Sequence, residues 1–342
     1  MSTININIGA DAEDTYFKNE QEWMCRIVDE AHKNDRVIIN LTEGPALEEL
    51  NYRGKKFIVI LKELCEGNNW PLEKFHLTTM NLIQNKEIWP SVSINNLAGH
   101  FLSAQQSQTV SSKTINKTFG MFVGRSSWDR LLLSSHLYNN YRELSYQTYR
   151  SYLDNPQSMI NLDLDRLCWM CSCDRKLNTK LIDSVTDFIK SLPLLISDSH
   201  KNITHIQWYS GAVDKEILSW YNHIFVDIVC EKMVTGQTFF PTEKTARPLA
   251  TKTPFLTMAA PNYIKNLRRL GFRSFGQFWD ESYDYQSGVQ RAESIMSIIN
   301  DLAKLNQTQL QEMYQKMIPI LTHNNQTYIA LTSNTIKSVF KI

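Results

Sequence analysis

At 342 residues the chain exceeds the usual size of a single hydrophobic core, so two domains, and with them a cleft, are expected. A hydrophobic fraction of 42% with 11% aromatic residues, and only 12 Gly and 10 Pro, excludes a disordered or fibrous chain. Lys and Arg (36) nearly cancel Asp and Glu (35), and the net charge of +1 excludes a whole-molecule field that would drive binding to nucleic acid or membrane.

The amino terminus has no basic segment followed by an apolar one, and no stretch approaches the roughly 18 apolar residues of a membrane span, so a cytoplasmic chain without such a span is expected. A strand is predicted over 4–8, a helix over 21–33 and a strand over 37–41. A turn with Gly44 and Pro45 follows, then strands over 56–61 and 75–79, which together make an α/β rhythm. The polar stretch 103–117, rich in Ser, Gln, Thr and Asn, reads as a linker and marks the domain boundary.

Beyond it, a strand over 118–123 runs through a turn at Gly124, Arg125, Ser126 and Ser127 into a helix that begins near Trp128. Such a junction aims backbone N–H groups and a positive helix end at whatever lies above the sheet, which suits a diphosphate. An ordinary turn capped by Ser126 or Ser127 is the competing reading. Cys168, Cys171 and Cys173 crowd one segment, but no fourth ligand with zinc spacing follows, so all six cysteines read as reduced thiols and no metal is expected.

Helices over 181–192 and 215–221 enclose a strand near 203–208. The apolar strand 224–230 leads to Glu231, a loop with Gly236, and a helix from Thr242 that stops at or soon after Pro248. A strand over 254–258, a short helix over 263–270 stopped by Gly271, and helices from Ser294 onward complete the chain. The expected fold is α/β, with two Rossmann-like domains facing a cleft. They divide as an acceptor domain over 1–110, a donor domain over 111–300, and C-terminal helices over 301–342 that pack back across both.

The order of Phe225 to Glu231, Phe240, Thr242-Glu243-Lys244, Pro254 to Met258 and Pro261-Asn262-Tyr263 resembles the donor-binding region of inverting GT-B glycosyltransferases of the fucosyltransferase type. The close match covers about sixty residues, and the segment from Phe122 to Arg130 is similar to that family's strand and helix with a phosphate-binding arginine. The resemblance implies transfer of a sugar from a nucleotide-diphosphate donor to a hydroxyl acceptor, without a separate cofactor. It assigns Glu243 to the ribose, Lys244 with Arg125 or Arg130 to the diphosphate, and Gly124, Glu231, Thr242, Asn262 and Tyr263 to the donor pocket.

Asp280, Glu281 and Asp284 form an acidic, aromatic-flanked loop that departs from the family pattern; they either bind sugar hydroxyls or cap the helix starting near Gly288. Glu43, directly after the strand 37–41, is the candidate general base, although a turn carboxylate or a cap of a helix over 45–50 explains it equally. Glu13 and Asp14 stand next in line. Asp163 and Asp165 make the single Asp-X-Asp pattern but do not end an apolar strand, so a metal-independent reaction is expected. The acceptor is a glycan or small molecule. Two alternatives stay open: a phage-type transferase acting on a hydroxymethylated base in duplex DNA, with Lys252, Lys265, Arg268, Arg269 and Arg273 as part of a basic rim, and a non-catalytic nucleotide-sugar-binding protein.

Overall fold

A computed structural model describes residues 2–8, 20–41, 51–52, 55–83, 88–94, 99–102, 113–149, 160–161, 163–165, 167–168, 179–196 and 219–341. The chain divides into two compact units: the first comprises Met1–Gly99, Thr235–Phe240 and Ser333–Ile342, the second His100–Val234 and Pro241–Thr332. Set beside the expected 1–110, 111–300 and 301–342, the first unit takes in a short segment at 235–240 and the end of the chain. No helix among the described residues is long and apolar enough to cross a membrane.

In the first unit, β1 (Thr3–Ile8), α1 (Glu20–Lys33), β2 (Arg36–Leu41), α2 (Phe57–Asn68), β3 (Phe75–Thr79) and β4 (Val92–Ile94) build a parallel sheet in the order β1-β2-β3-β4. Val37, Ile39 and Leu41 alternate into the core, where Phe57, Leu61, Phe75 and Trp89 meet them. The strand expected over 56–61 is instead a two-residue strand Lys55–Lys56, paired with Asn51–Tyr52, followed at once by α2. The apolar run 57–61 fits either period; what decides it is that Phe57, Ile58, Leu61 and Cys65 share one buried helical face, overriding the β-branched residues Ile58, Val59 and Ile60. Asn69, at φ 55°, ends this helix in the left-handed region and donates its N–H to the last carbonyls.

The second unit holds β5 (Lys117–Val123), α3 (Trp128–Tyr141), β6 (Ser145–Tyr149), α4 (Thr179–Ile189), β7 (Ile224–Cys230), α5 (Glu243–Ala250), β8 (Phe255–Met258), α6 (Tyr263–Arg269), α7 (Gly288–Leu302) and α8 (Gln307–Ala330). The last helix, α9 (Ser333–Phe340), belongs to the first unit. The strands of the second unit are again parallel, in the order β8-β7-β5-β6. All seven residues of β7 are buried, which accounts for its unbroken apolar text, as expected of a central strand covered on both faces. A Cβ at Gly120 would run into the Ile224 side chain on the neighbouring strand, so close packing fixes that glycine. The strand expected near 203–208 lies outside the described residues, as does most of the helix over 215–221.

The chain order reverses at β5. From β5 the connection runs outward to β6, and the chain then returns to lay β7 against the other edge of β5 and β8 beyond it. The carboxyl ends of β5 and β7 therefore lie side by side at a topological switch point, where crossover connections leave in opposite directions and a crevice opens.

Candidate functional site

At the end of β5, Gly124 to Ser127 turn the chain into α3, and Trp128, Leu131 and Leu132 bury that helix in the core. Neither serine caps it. Ser127 stands at the N-cap position in extended geometry without a side-chain cap bond, its hydroxyl buried without a partner, and the Ser126 hydroxyl accepts from the Tyr149 hydroxyl at 2.8 Å. The capped-turn reading thus does not apply, and the helix presents N–H groups unsatisfied by either side chain. Arg130, 8% exposed, donates from Nη1 to the Arg125 carbonyl at 3.1 Å and from Nη2 to the Cys230 and Glu231 carbonyls at 3.3 Å. It ties the Gly124 turn to the end of β7. Arg125 is half-buried in that turn.

Glu231, 1% exposed, is the most heavily bonded carboxylate in this region. Its Oε1 accepts from the Thr242 N–H (3.1 Å), the Thr245 hydroxyl (2.6 Å) and the Tyr263 hydroxyl (3.0 Å), and its Oε2 accepts from the Thr242 hydroxyl (2.6 Å). The side chain clamps the start of α5 and the start of α6 to the end of β7. Thr242 is the N-cap of α5, its hydroxyl accepting from the Lys244 N–H at 3.3 Å. Lys244 reaches back to Glu243 Oε1 at 2.7 Å. Burial opposes ionisation of Glu243, but the Lys244 ammonium and the Arg247 guanidinium outweigh it and bring its pKa down to about 2.

The acidic loop is built into the fold. Asp284, 3% exposed, accepts from the Ile264 N–H (2.9 Å) and the Lys265 N–H (3.0 Å) at the first turn of α6 and pairs with Arg291 at 3.3 Å. Its cap is therefore on α6 and not on the helix from Gly288. Arg291 is fully buried and donates also to the carbonyls of Thr257, Ala260 and Asp284. Glu281 accepts from the Phe275 N–H at 2.7 Å and pairs with Arg268 at 2.8 Å; Asp280 is exposed and closes a turn with Ser282. Asn262, at φ 64°, sits at the N-cap of α6 and donates its N–H to the Asp284 carbonyl at 2.6 Å.

Between these parts lies an open pocket of about 340 Å³, walled by Phe122, Val123 and Gly124 at the end of β5 and by Asp227 to Cys230 of β7, with Arg130, Lys244, Arg247 and Tyr221 as polar lining. It occupies the switch point. Asp227, 3% exposed, accepts from the Tyr221 hydroxyl at 2.7 Å; burial lifts its pKa to about 7 against the pull of Tyr221, Arg247 and Lys113. Sequence reasoning did not single out Asp227, Tyr221, Arg247 or Arg291. For Arg247 a signal exists: a basic residue inside the run Ala246, Pro248, Leu249, Ala250 of a helix between two buried strands has no solvent to face.

Of the other candidates, Glu43, Glu13 and Asp14 lie outside the described residues, as do Cys171 and Cys173. Asp163 and Asp165 lie on a helical segment. Among the described residues no group of three or more His, Cys, Asp and Glu side chains is placed to hold a metal ion. The chain matches no family model, no curated protein and no solved structure.

Proposed function

We propose that the protein is a nucleotide-sugar-dependent glycosyltransferase of the two-Rossmann-domain GT-B type, inverting and metal-independent, with its donor bound in the second unit. The observation that carries the reading is the pocket at the carboxyl ends of β5 and β7, where the strand order reverses and Arg130, Lys244 and Arg247 gather. Cations at that place suit a leaving diphosphate, whose charge grows as the bond to the sugar breaks. Glu243, kept ionised beside Lys244, takes ribose hydroxyls in this reading. Glu231 acts through its neighbours, orienting the Thr242-Glu243-Lys244 turn. Asp284 and Glu281 keep the loop after α6 in place. Glu43 is the base that takes the acceptor's proton.

The test is release of nucleoside diphosphate from a panel of uridine- and guanosine-diphosphate sugars, with and without EDTA. Turnover of one donor, unaffected by the chelator and reduced by roughly 30-fold or more in Lys244→Ala, is the expected result. If no donor is turned over or raises the melting temperature, the reading fails. Glu43→Gln should leave donor binding unchanged and slow transfer by about 10²–10⁴-fold; transfer at the wild-type rate would remove Glu43 from the mechanism.

A further inference from the structure

Arg247 is 2% exposed, yet its Nε and Nη2 hydrogens have no partner in the protein. A guanidinium taken out of water normally recovers its lost hydration through hydrogen bonds or a counter-charge, and a buried cation with open donors is costly. Nε and Nη2 lie on one edge of the planar group. Their N–H bonds run nearly parallel and match the spacing of two oxygens on a single phosphate or carboxylate, which makes this the edge used in bidentate recognition.

No protein group bonds that edge, which is itself buried. The Tyr221 hydroxyl donates to Asp227 Oδ2 at 2.7 Å, and the guanidinium charge acts on both of these groups. Arg247 is one of the residues that line the pocket at the switch point, together with Gly124 and Lys244. The other cations of that pocket are already occupied: Arg130 on backbone carbonyls, and Lys244 on Glu243.

We propose that the Nε and Nη2 edge of Arg247 is an oxyanion fork that takes two oxygens of one phosphate group in the pocket between the carboxyl ends of β5 and β7. The inference rests on the nucleotide-sugar reading only for naming that phosphate as part of a nucleoside diphosphate; the fork itself stands on the burial and open donors of Arg247. It moves the principal phosphate contact from Lys244, Arg125 and Arg130 to Arg247.

The experiment titrates inorganic pyrophosphate, and separately uridine and guanosine diphosphates, into the full chain, following melting temperature and heat of binding. Wild type should be stabilised in proportion to anion concentration. Arg247→Lys keeps a charge but loses the paired edge, and should bind roughly tenfold or more weakly. Arg247→Met should lose the anion-dependent shift altogether, and its own melting temperature without anion should fall, because the cation that offsets the buried carboxyl groups of Glu243 and Asp227 has been removed. A folded Arg247→Met that binds pyrophosphate with wild-type affinity overturns the proposal, as does a wild type that no anion stabilises. Should Arg247→Met fail to fold, Arg247→Lys decides: unchanged affinity overturns the fork. Nucleoside diphosphates binding where pyrophosphate does not would place the recognition on the nucleoside and overturn the fork as well. Anion binding that depends on Arg247 in a protein that turns over no nucleotide sugar keeps the fork and removes the transferase; donor turnover undiminished in Arg247→Met does the reverse.

Discussion

The two parallel sheets have the same number of described strands and opposite architectures. In the first unit β1, β2, β3 and β4 follow one another across the sheet, so among the described strands every crossover steps the same way. In the second the order β8-β7-β5-β6 reverses beside β5. The chemistry follows the topology. At the ends of β2 and β3 the described polar groups are neutral, with the Thr78 hydroxyl donating to the Asn40 side-chain oxygen at 2.6 Å and Asn81 accepting from the Phe239 N–H at 2.9 Å. At the ends of β5 and β7 stand Arg130, Glu231, Glu243, Lys244 and Arg247, most of them buried. Among the described residues, charge is concentrated where the second sheet opens a crevice.

The strongest way to break this comparison is Glu231→Ala. Removing a buried carboxylate that accepts four hydrogen bonds strands the Thr242, Thr245 and Tyr263 donors. The expected loss is on the order of 3–5 kcal/mol in denaturant unfolding. A loss below about 1 kcal/mol would mean that the clamp is not what holds α5 in place.

A second effect is visible through pH. Asp227 holds its proton in the fold up to about pH 7, against an ordinary value of 3.8, with Tyr221, Arg247 and Lys113 as the groups that face it. A raised acid contributes stability that is complete below the ordinary value and lost as pH climbs through the folded one. Wild type should therefore lose ground to Asp227→Asn between about pH 4 and pH 7, by up to about 1.4 kcal/mol per pH unit. Parallel stability profiles for the two proteins would show that Asp227 ionises normally in its buried setting.

The smallest effect serves as the control from the other sheet. Thr78→Val removes one hydroxyl from the Asn40 pair and should cost about 1 kcal/mol while leaving nucleoside diphosphate affinity untouched. A drop in affinity would place ligand contacts in the first unit too.

Much of the second unit was legible because its strands are covered on both faces and read as continuous apolar runs: 118–123, 224–230 and 254–258 fall within a residue of β5, β7 and β8. The helix expected from Thr242 begins there, with Thr242 as its N-cap, and Gly271, at φ 93°, ended α6 as its position suggested. What stayed hidden has two physical causes. The segment 57–61 has an apolar content that suits helix and strand alike, and only the tertiary face selects between them. The partners of buried charges are hidden in a sequence: Asp284 reads as a sugar ligand or a cap of the helix from Gly288 until the Ile264 and Lys265 amides it satisfies are in view, and nothing marks Arg291 as the residue that bonds the Thr257 carbonyl.

The Glu231 clamp has a thermodynamic consequence for any ligand. Because one carboxylate already fastens the first turn of α5 and the Tyr263 hydroxyl of α6, the groups that α5 offers are immobilised before anything binds. The rotational freedom that a loose helix start would surrender on complex formation has been given up during folding. Association at this pocket should then proceed with little conformational entropy loss from the protein, and loosening the clamp should weaken binding through entropy while leaving the enthalpy of contact nearly unchanged.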